Sequence, residues 1–347
     1  MFQNPNGNWT NDNLLHNRLN FKAFAGKHLI LSVEMRNRFF WGETVKYLPG
    51  YGDWLSRDRG WKDLTWNLIE DSSCILNTTV DRINLDFRLG NFQLTAGRQR
   101  INWGMNWVWN PNDLFNSYSF FDFDYVERPG SDAIRLQYYL NYSTHLELVA
   151  KMNEQDQYSL AGLFRFNLYN FDFQVLGGIL DETDYAFGGG FSGNLGPVSL
   201  TGEITFLDPV KENDPRSNAT VAGMGLAYNT PFNLFIQAEY LYNSAAGDET
   251  LYDFTGFYYR DLNLRNLSFA PHTWFANFSY PITPLLTGGV ALMTFPKLHG
   301  LFTGPSIDWS LCQNFDLSFI IQYFSIRFQQ QDTQKITLGF LRLKWNF

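Results

Sequence analysis

The 347-residue sequence has no run approaching the roughly 20 consecutive apolar residues of a membrane-spanning helix, which excludes a helical membrane protein. It has only two cysteines, Cys74 and Cys312. The strand pattern puts one near a long loop and the other beside a tight turn at the opposite rim, so both are expected as free thiols. Long basic tracts are missing, and nucleic acid is not an expected partner. The five histidines (His16, His28, His145, His272 and His299) are scattered, without HxxxH or CxxC spacing, and there is no G-x-S-x-G element. No Ser–His pair falls on plausible adjoining strands, so the chain is not expected to be an enzyme or to need a metal or cofactor. Gly188-Gly189-Gly190 lie mid-strand, where missing side chains permit curvature or close packing rather than cradling a phosphate. No Pro/Gly/Ser-rich linker divides the chain, which is expected to be one domain over 1–347. No signal peptide follows Met1, so a barrel reading requires a mature or truncated form.

What the chain does contain is aromatic and alternating. Aromatics reach 18% while charged residues are only 17%, and mean hydropathy is −0.25. Phe, Tyr and Trp spread through a chain of average hydropathy suit a barrel that is apolar outside and polar inside. Period-two alternation runs through residues 13–25 and 28–41, 78–90 and 92–103, 132–141 and 145–153, 158–168 and 171–180, 185–194 and 197–207, 218–228 and 234–243, 272–281 and 285–295, and finally 303–311, 315–328 and 335–347. Tight turns such as Gly26-Lys27, Gly90-Asn91 and Gly196-Pro197 alternate with longer acidic connections. The longest connections are near 43–77, 104–131 and 244–270. A short helix is expected around 61–71, where Trp61, Leu64 and Leu68 share a face.

These features predict an all-β fold, a transmembrane antiparallel β-barrel with short turns at the periplasmic side and long loops outside. About 17 strands are visible, and single-chain bacterial barrels have even numbers. An N-terminal strand is therefore expected, either absent from the sequence or left as a remnant at Met1–Asn6, giving about 18.

The last strand, ITLGFLRLKWNF, sets Leu341, Leu343, Trp345 and Phe347 on one face. It resembles the C-terminal signature of outer-membrane barrels. GRQRINWG (97–104), Asn-Pro-x-Asp at 110–113 and DAIRLQYYL (132–140) resemble a segment of the porin superfamily, with alginate-export-like and related substrate-specific porins as the nearest suggestion. The resemblance implies a barrel of about 18 strands in the bacterial outer membrane, with lipid and a small solute as its partners.

The polar faces of the early strands carry Arg18, Arg36, Arg38, Arg82, Arg88 and Arg135, with Arg98 and Arg100 close to the mouth. Glu34, Asp86 and Glu147 are the fewer acids there, and later strands carry milder polar groups that include Gln174, Thr201 and Glu203. Charge at mid-depth on a lipid-facing side is costly, so these side chains should point into the lumen. They either pair with carboxylates as filling or form a basic wall that attracts anions. The 104–131 connection, with Trp107, Trp109 and Tyr125, is expected to fold inward as a constriction. Its aromatics either stack on sugar rings, pack the loop, or join the interfacial girdle. The expected function is a porin-like channel for passive diffusion of small anionic or carbohydrate-like solutes. The alternative is a plugged barrel acting as subunit or scaffold of a larger outer-membrane assembly, with outer-membrane proteins as partners.

Overall fold

The computed structural model describes residues 2–3, 9–116, 120, 130–246, 262–327 and 332–346. Alternating apolar and polar residues favour extended backbone, because a strand sends successive side chains to opposite faces. Among the described residues the strands are β1 (Phe2–Gln3), β2 (Trp9–Thr10), β3 (Asp12–Ala25) and β4 (Leu29–Gly42). Helices α1 (Glu43–Tyr47) and α2 (Tyr51–Ser56) precede β5 (Thr65–Glu70), β6 (Cys74–Leu89), β7 (Phe92–Gln99) and β8 (Ser131–Tyr139). Next come β9 (His145–Met152), β10 (Tyr158–Leu168), β11 (Phe171–Leu180), β12 (Asp184–Leu195), β13 (Val198–Pro209), β14 (Ala219–Asn229) and β15 (Phe235–Asn243). The chain ends through β16 (His272–Thr283), β17 (Leu286–Phe295), β18 (Gly300–Cys312), β19 (Phe315–Arg327) and β20 (Thr333–Trp345).

Every pairing is antiparallel between neighbours in the chain, apart from β4 with β6 and the contacts of β1. Phe2 pairs with Leu338 of β20 on one side and Thr10 of β2 on the other, so the sheet returns on itself. With β2 and β3 taken as one interrupted strand and β5 as an accessory, eighteen strands form the ring. The N-terminal strand expected within Met1–Asn6 is present as the two paired residues Phe2–Gln3. Phe347 lies outside the described residues.

The two rims differ. One carries only connections of two to five residues, such as Gly90-Asn91 and Gly196-Pro197. Gly90 and Gly196 have φ of +57° and +61°, which a side chain would strain. The other rim carries the connections 43–73, 100–130 and 244–271. Cys74 sits at the loop rim and Cys312 at the turn rim, both free.

Leu146 and Leu148 are 45% and 57% exposed, while Glu147 between them is 2% exposed. Exposed apolar side chains alternate with buried ones around the ring, the buried side being polar in some sectors and apolar in others, as at Leu241, Phe275, Phe302 and Phe324. A charge on the outer face would cost ~2–4 kcal/mol at mid-depth, enough to fix the register of each strand.

One expectation is corrected. Residues 61–71 do not form a helix, because Thr65–Glu70 is strand β5, paired with Ile75–Thr79 of β6. The edge of β6 explains why. Its lower half pairs with β7 through Ile83–Leu89, but β7 stops at Gln99, where the chain turns into the barrel. The upper edge would otherwise expose unpaired backbone, and β5 fills it. The strap 57–64 continues the repair, with Gly60 bridging to Asn153. The helical residues of this connection are instead 43–47 and 51–56.

Candidate functional site

The 100–130 connection folds inside the barrel wall over its described part, 100–116 and Phe120. It leaves the sheet after Gln99 and is clasped at its base. Ile101 N–H donates to Asn116 Oδ1 at 3.2 Å, and Asn116 Nδ2 donates to Ser131 Oγ at 3.2 Å. Trp103, 1% exposed, donates its indole N–H to Glu147 Oε1 at 2.5 Å and meets Phe115 edge-on. Gln174 of β11 donates to Trp103 O at 2.7 Å.

The middle of the connection is held by two carboxylates of the far wall. Glu203 of β13 accepts the backbone N–H groups of Met105, Asn106 (2.7 Å) and Asn112 (2.8 Å). Glu239 of β15 accepts those of Trp107 (3.2 Å), Val108 (3.1 Å) and Trp109 (2.7 Å). The wall makes room by omitting side chains. A Cβ at Gly188 or Gly190 would lie 2.8 Å from the Asn112 amide, one at Gly223 2.6 Å from Asn106 Nδ2, and one at Gly225 2.8 Å from the Trp107 ring. Beyond these contacts the lumen is apolar: Phe120 packs edge-on against Phe275 at 4.9 Å and Phe302 at 6.1 Å.

The opposite wall, β3 to β6, is built from arginine. Arg18 bonds Glu34 at 2.6 Å and Asp81 at 3.4 Å, Arg82 reaches Glu34 at 3.1 Å, and Arg36 reaches Asp81 at 3.1 Å. Arg38 donates to Asn77 Oδ1 at 2.8 Å. Asp81 arrives here through a bulge: Glu34 pairs with Arg82 and Met35 with Val80, leaving Asp81 as the extra residue. Among the described contacts, three guanidiniums (Arg18, Arg36 and Arg82) share the carboxylates of Glu34 and Asp81, while Arg38 bonds an amide oxygen. A cavity of about 690 Å³ lies between the walls, lined by Arg36, Arg38 and Asp81 on one side and by Leu114, Phe115 and Asn116 of the loop on the other.

The remaining arginines fall elsewhere. Arg135 forms a two-pronged pair with Glu147, both bonds 2.7 Å. Arg88 pairs with Asp86 at 2.7 Å near the turn rim, its side chain 58% exposed. Arg98 is enclosed at the loop rim, bonded to Asp132 (2.7 Å), Asp58 (2.6 Å) and Lys62 O (2.6 Å), so it fastens the strap 57–64 to the wall. Arg100 is half-buried just beyond β7. Trp107 is half-buried beside Gly225, Trp109 is buried with its ring edge toward Phe275, and Tyr125 lies outside the described residues. At the loop rim, Arg216 bridges Asp184 (3.0 Å) and Asp214 (2.7 Å), and Arg265 bonds Asp184 at 2.5 Å. The Arg216 guanidinium holds the Asp214 carboxyl well below the usual carboxylate range.

Glu239 and Asp81 were not among the residues singled out from the sequence, and Glu203 was read only as a milder lumen group.

A closed antiparallel barrel with an apolar exterior, a charged lumen and one connection folded into it has a porin-type transmembrane β-barrel fold. Solved structures agree. The chain is similar to the outer membrane protein OpdK of Pseudomonas aeruginosa (TM-score 0.57, 10% identity, 96% of this chain and 91% of that one). It is similar to OpdQ of the same organism (TM-score 0.57, 10% identity, 99% and 96%) and to OccAB4 of Acinetobacter baumannii (TM-score 0.52, 9% identity, 97% and 92%). No family model and no curated protein matches the sequence.

Proposed function

We propose that this chain is a bacterial outer-membrane channel for passive diffusion of small solutes, anionic or carbohydrate-like, narrowed by the 104–131 connection. The observation that carries the reading is the inward fold of residues 101–116 opposite a wall lined by Arg18, Arg36, Arg38 and Arg82. Guanidinium groups lining a narrow passage raise the local concentration of anions, as charged rings do in selective pores. A lumen able to admit solute is also supported by the cavity between the loop and Arg36 and Arg38.

The test is electrical. In planar bilayers under a salt gradient, the wild-type channel should reverse on the anion side, and Arg36→Glu with Arg82→Glu should move the reversal potential toward cation preference. An unchanged potential would reject the anionic part of the reading. Liposome swelling in small sugars tests the open passage itself, because a barrel plugged as an assembly scaffold would admit none.

A further inference from the structure

We propose that Glu203 and Glu239 form a latch that sets the aperture by gripping the main chain of the inward loop, a task separate from the arginine wall. The inference rests on the channel reading. Residues 104–112 belong to no strand or helix, so their backbone donors have no regular partners. Six of those donors, at 105–109 and 112, end on just two side chains. An ionised carboxylate suits this task, since it offers about four acceptor sites and no donor.

The two carboxylates stand on strands either side of β14. Each faces a glycine in the register, Glu203 opposite Gly190 and Glu239 opposite Gly225. The absent side chains let the loop come close enough to be held. Because the latch takes only N–H groups, it fixes where the loop runs and leaves loop side chains free of that duty. The base is fastened independently, through Trp103 to Glu147 and through Ile101, Asn116 and Ser131. Loss of the latch therefore frees residues 105–109, while Trp103 on one side and Pro111 and Asn112, both bonded by Thr205 Oγ1, on the other stay attached, and the freed segment swings toward the arginine wall.

Glu203→Gln with Glu239→Gln preserves shape, but each amide sets N–H donors against N–H donors. In single-channel recordings of barrels shown to be folded by heat-modifiable gel mobility, the double variant should spend at least about tenfold more time closed than wild type. Its reversal potential should stay put, which distinguishes it from the arginine variants. Thr205 Oγ1 donates to Asn112 Oδ1 at 2.8 Å, so the two side chains meet, and Thr205→Cys with Asn112→Cys offers a tether once mass spectrometry shows the disulfide formed. Placed in the double variant with Cys74→Ser and Cys312→Ser, the tether should quiet the channel when oxidised and release it on addition of dithiothreitol. If the double variant fails to assemble, Glu239→Gln alone, which keeps the three bonds of Glu203, serves as the test. A folded variant as quiet as wild type, or a tether without effect, overturns the latch while leaving the channel intact. A wild-type barrel that never conducts removes the channel reading and the latch together.

Discussion

The arginine wall of β3 to β6 and the carboxylate wall of β13 to β15 both bury charge in the same lumen, but they use it in opposite ways. Arg18, Arg36 and Arg82 are held by Glu34 and Asp81, and Arg36, Arg38 and Asp81 line open space. Glu203 and Glu239 are 4% and 2% exposed, and their oxygens are covered by main-chain N–H groups. A count of lumen charges would treat the two walls alike. Geometry separates them, because a carboxylate saturated by backbone donors presents little of itself to a passing ion. On the proposed reading, charge selectivity belongs to one wall and calibre to the other.

The sharpest way to break this division is to fill the space that the carboxylate wall leaves empty. Gly225→Leu drives a side chain into the Trp107 ring and Thr201, and overpacking of this kind costs roughly 1–3 kcal/mol. The urea midpoint of the heat-modifiable barrel should drop measurably. Gly339→Leu is the matched control, since a Cβ there meets nothing within 4 Å. Equal losses at both sites would mean that the glycines serve strand geometry and not the loop.

A smaller effect sharpens the arginine side. Arg82→Glu should shift the reversal potential more than Arg88→Glu, although both residues lie on the same face of β6. Arg82 is clustered with Arg18 on Glu34, whereas Arg88 is largely exposed near the turn rim and paired with Asp86. Equal shifts would show that only the sum of lumen charge matters.

The smallest effect is expected outside both walls. The Asp214 carboxyl is held low by Arg216, so its contribution is present above the ordinary carboxylate range and is lost only as pH falls into strong acid. The pair is exposed and screened. Arg216→Ala should therefore speed amide exchange at 210–218 modestly at neutral pH, with the difference fading in strong acid and conductance unchanged.

The period-two pattern made most of the barrel legible, because an exposed apolar face and a buried inward face make each strand alternate. The tight turns and long connections could be read for the same local reason. The latch was not. Its bonds join residues 91 to 132 positions apart and end on main-chain atoms, which carry no residue-type signal. A trace did exist: Glu203 and Glu239 are inward acids, each opposite an inward glycine on the neighbouring strand. Reading it requires the register, which alternation alone does not supply. The misread helix at 61–71 has a similar cause. Trp61, Leu64 and Leu68 share a helical face, but the unpaired edge of β6 decides the outcome, and that edge exists only because β7 ends early.

That early ending ties the 43–73 and 100–130 connections into one unit. A chimera that imports the inward loop alone would leave the upper edge of β6 bare to lipid, with several kcal/mol at stake for each unsatisfied backbone group. Importing the outer connection alone would bring an edge-filler with no edge to fill. In grafting and recombination the two must travel together, although more than 20 residues of strand and turn separate them in the sequence.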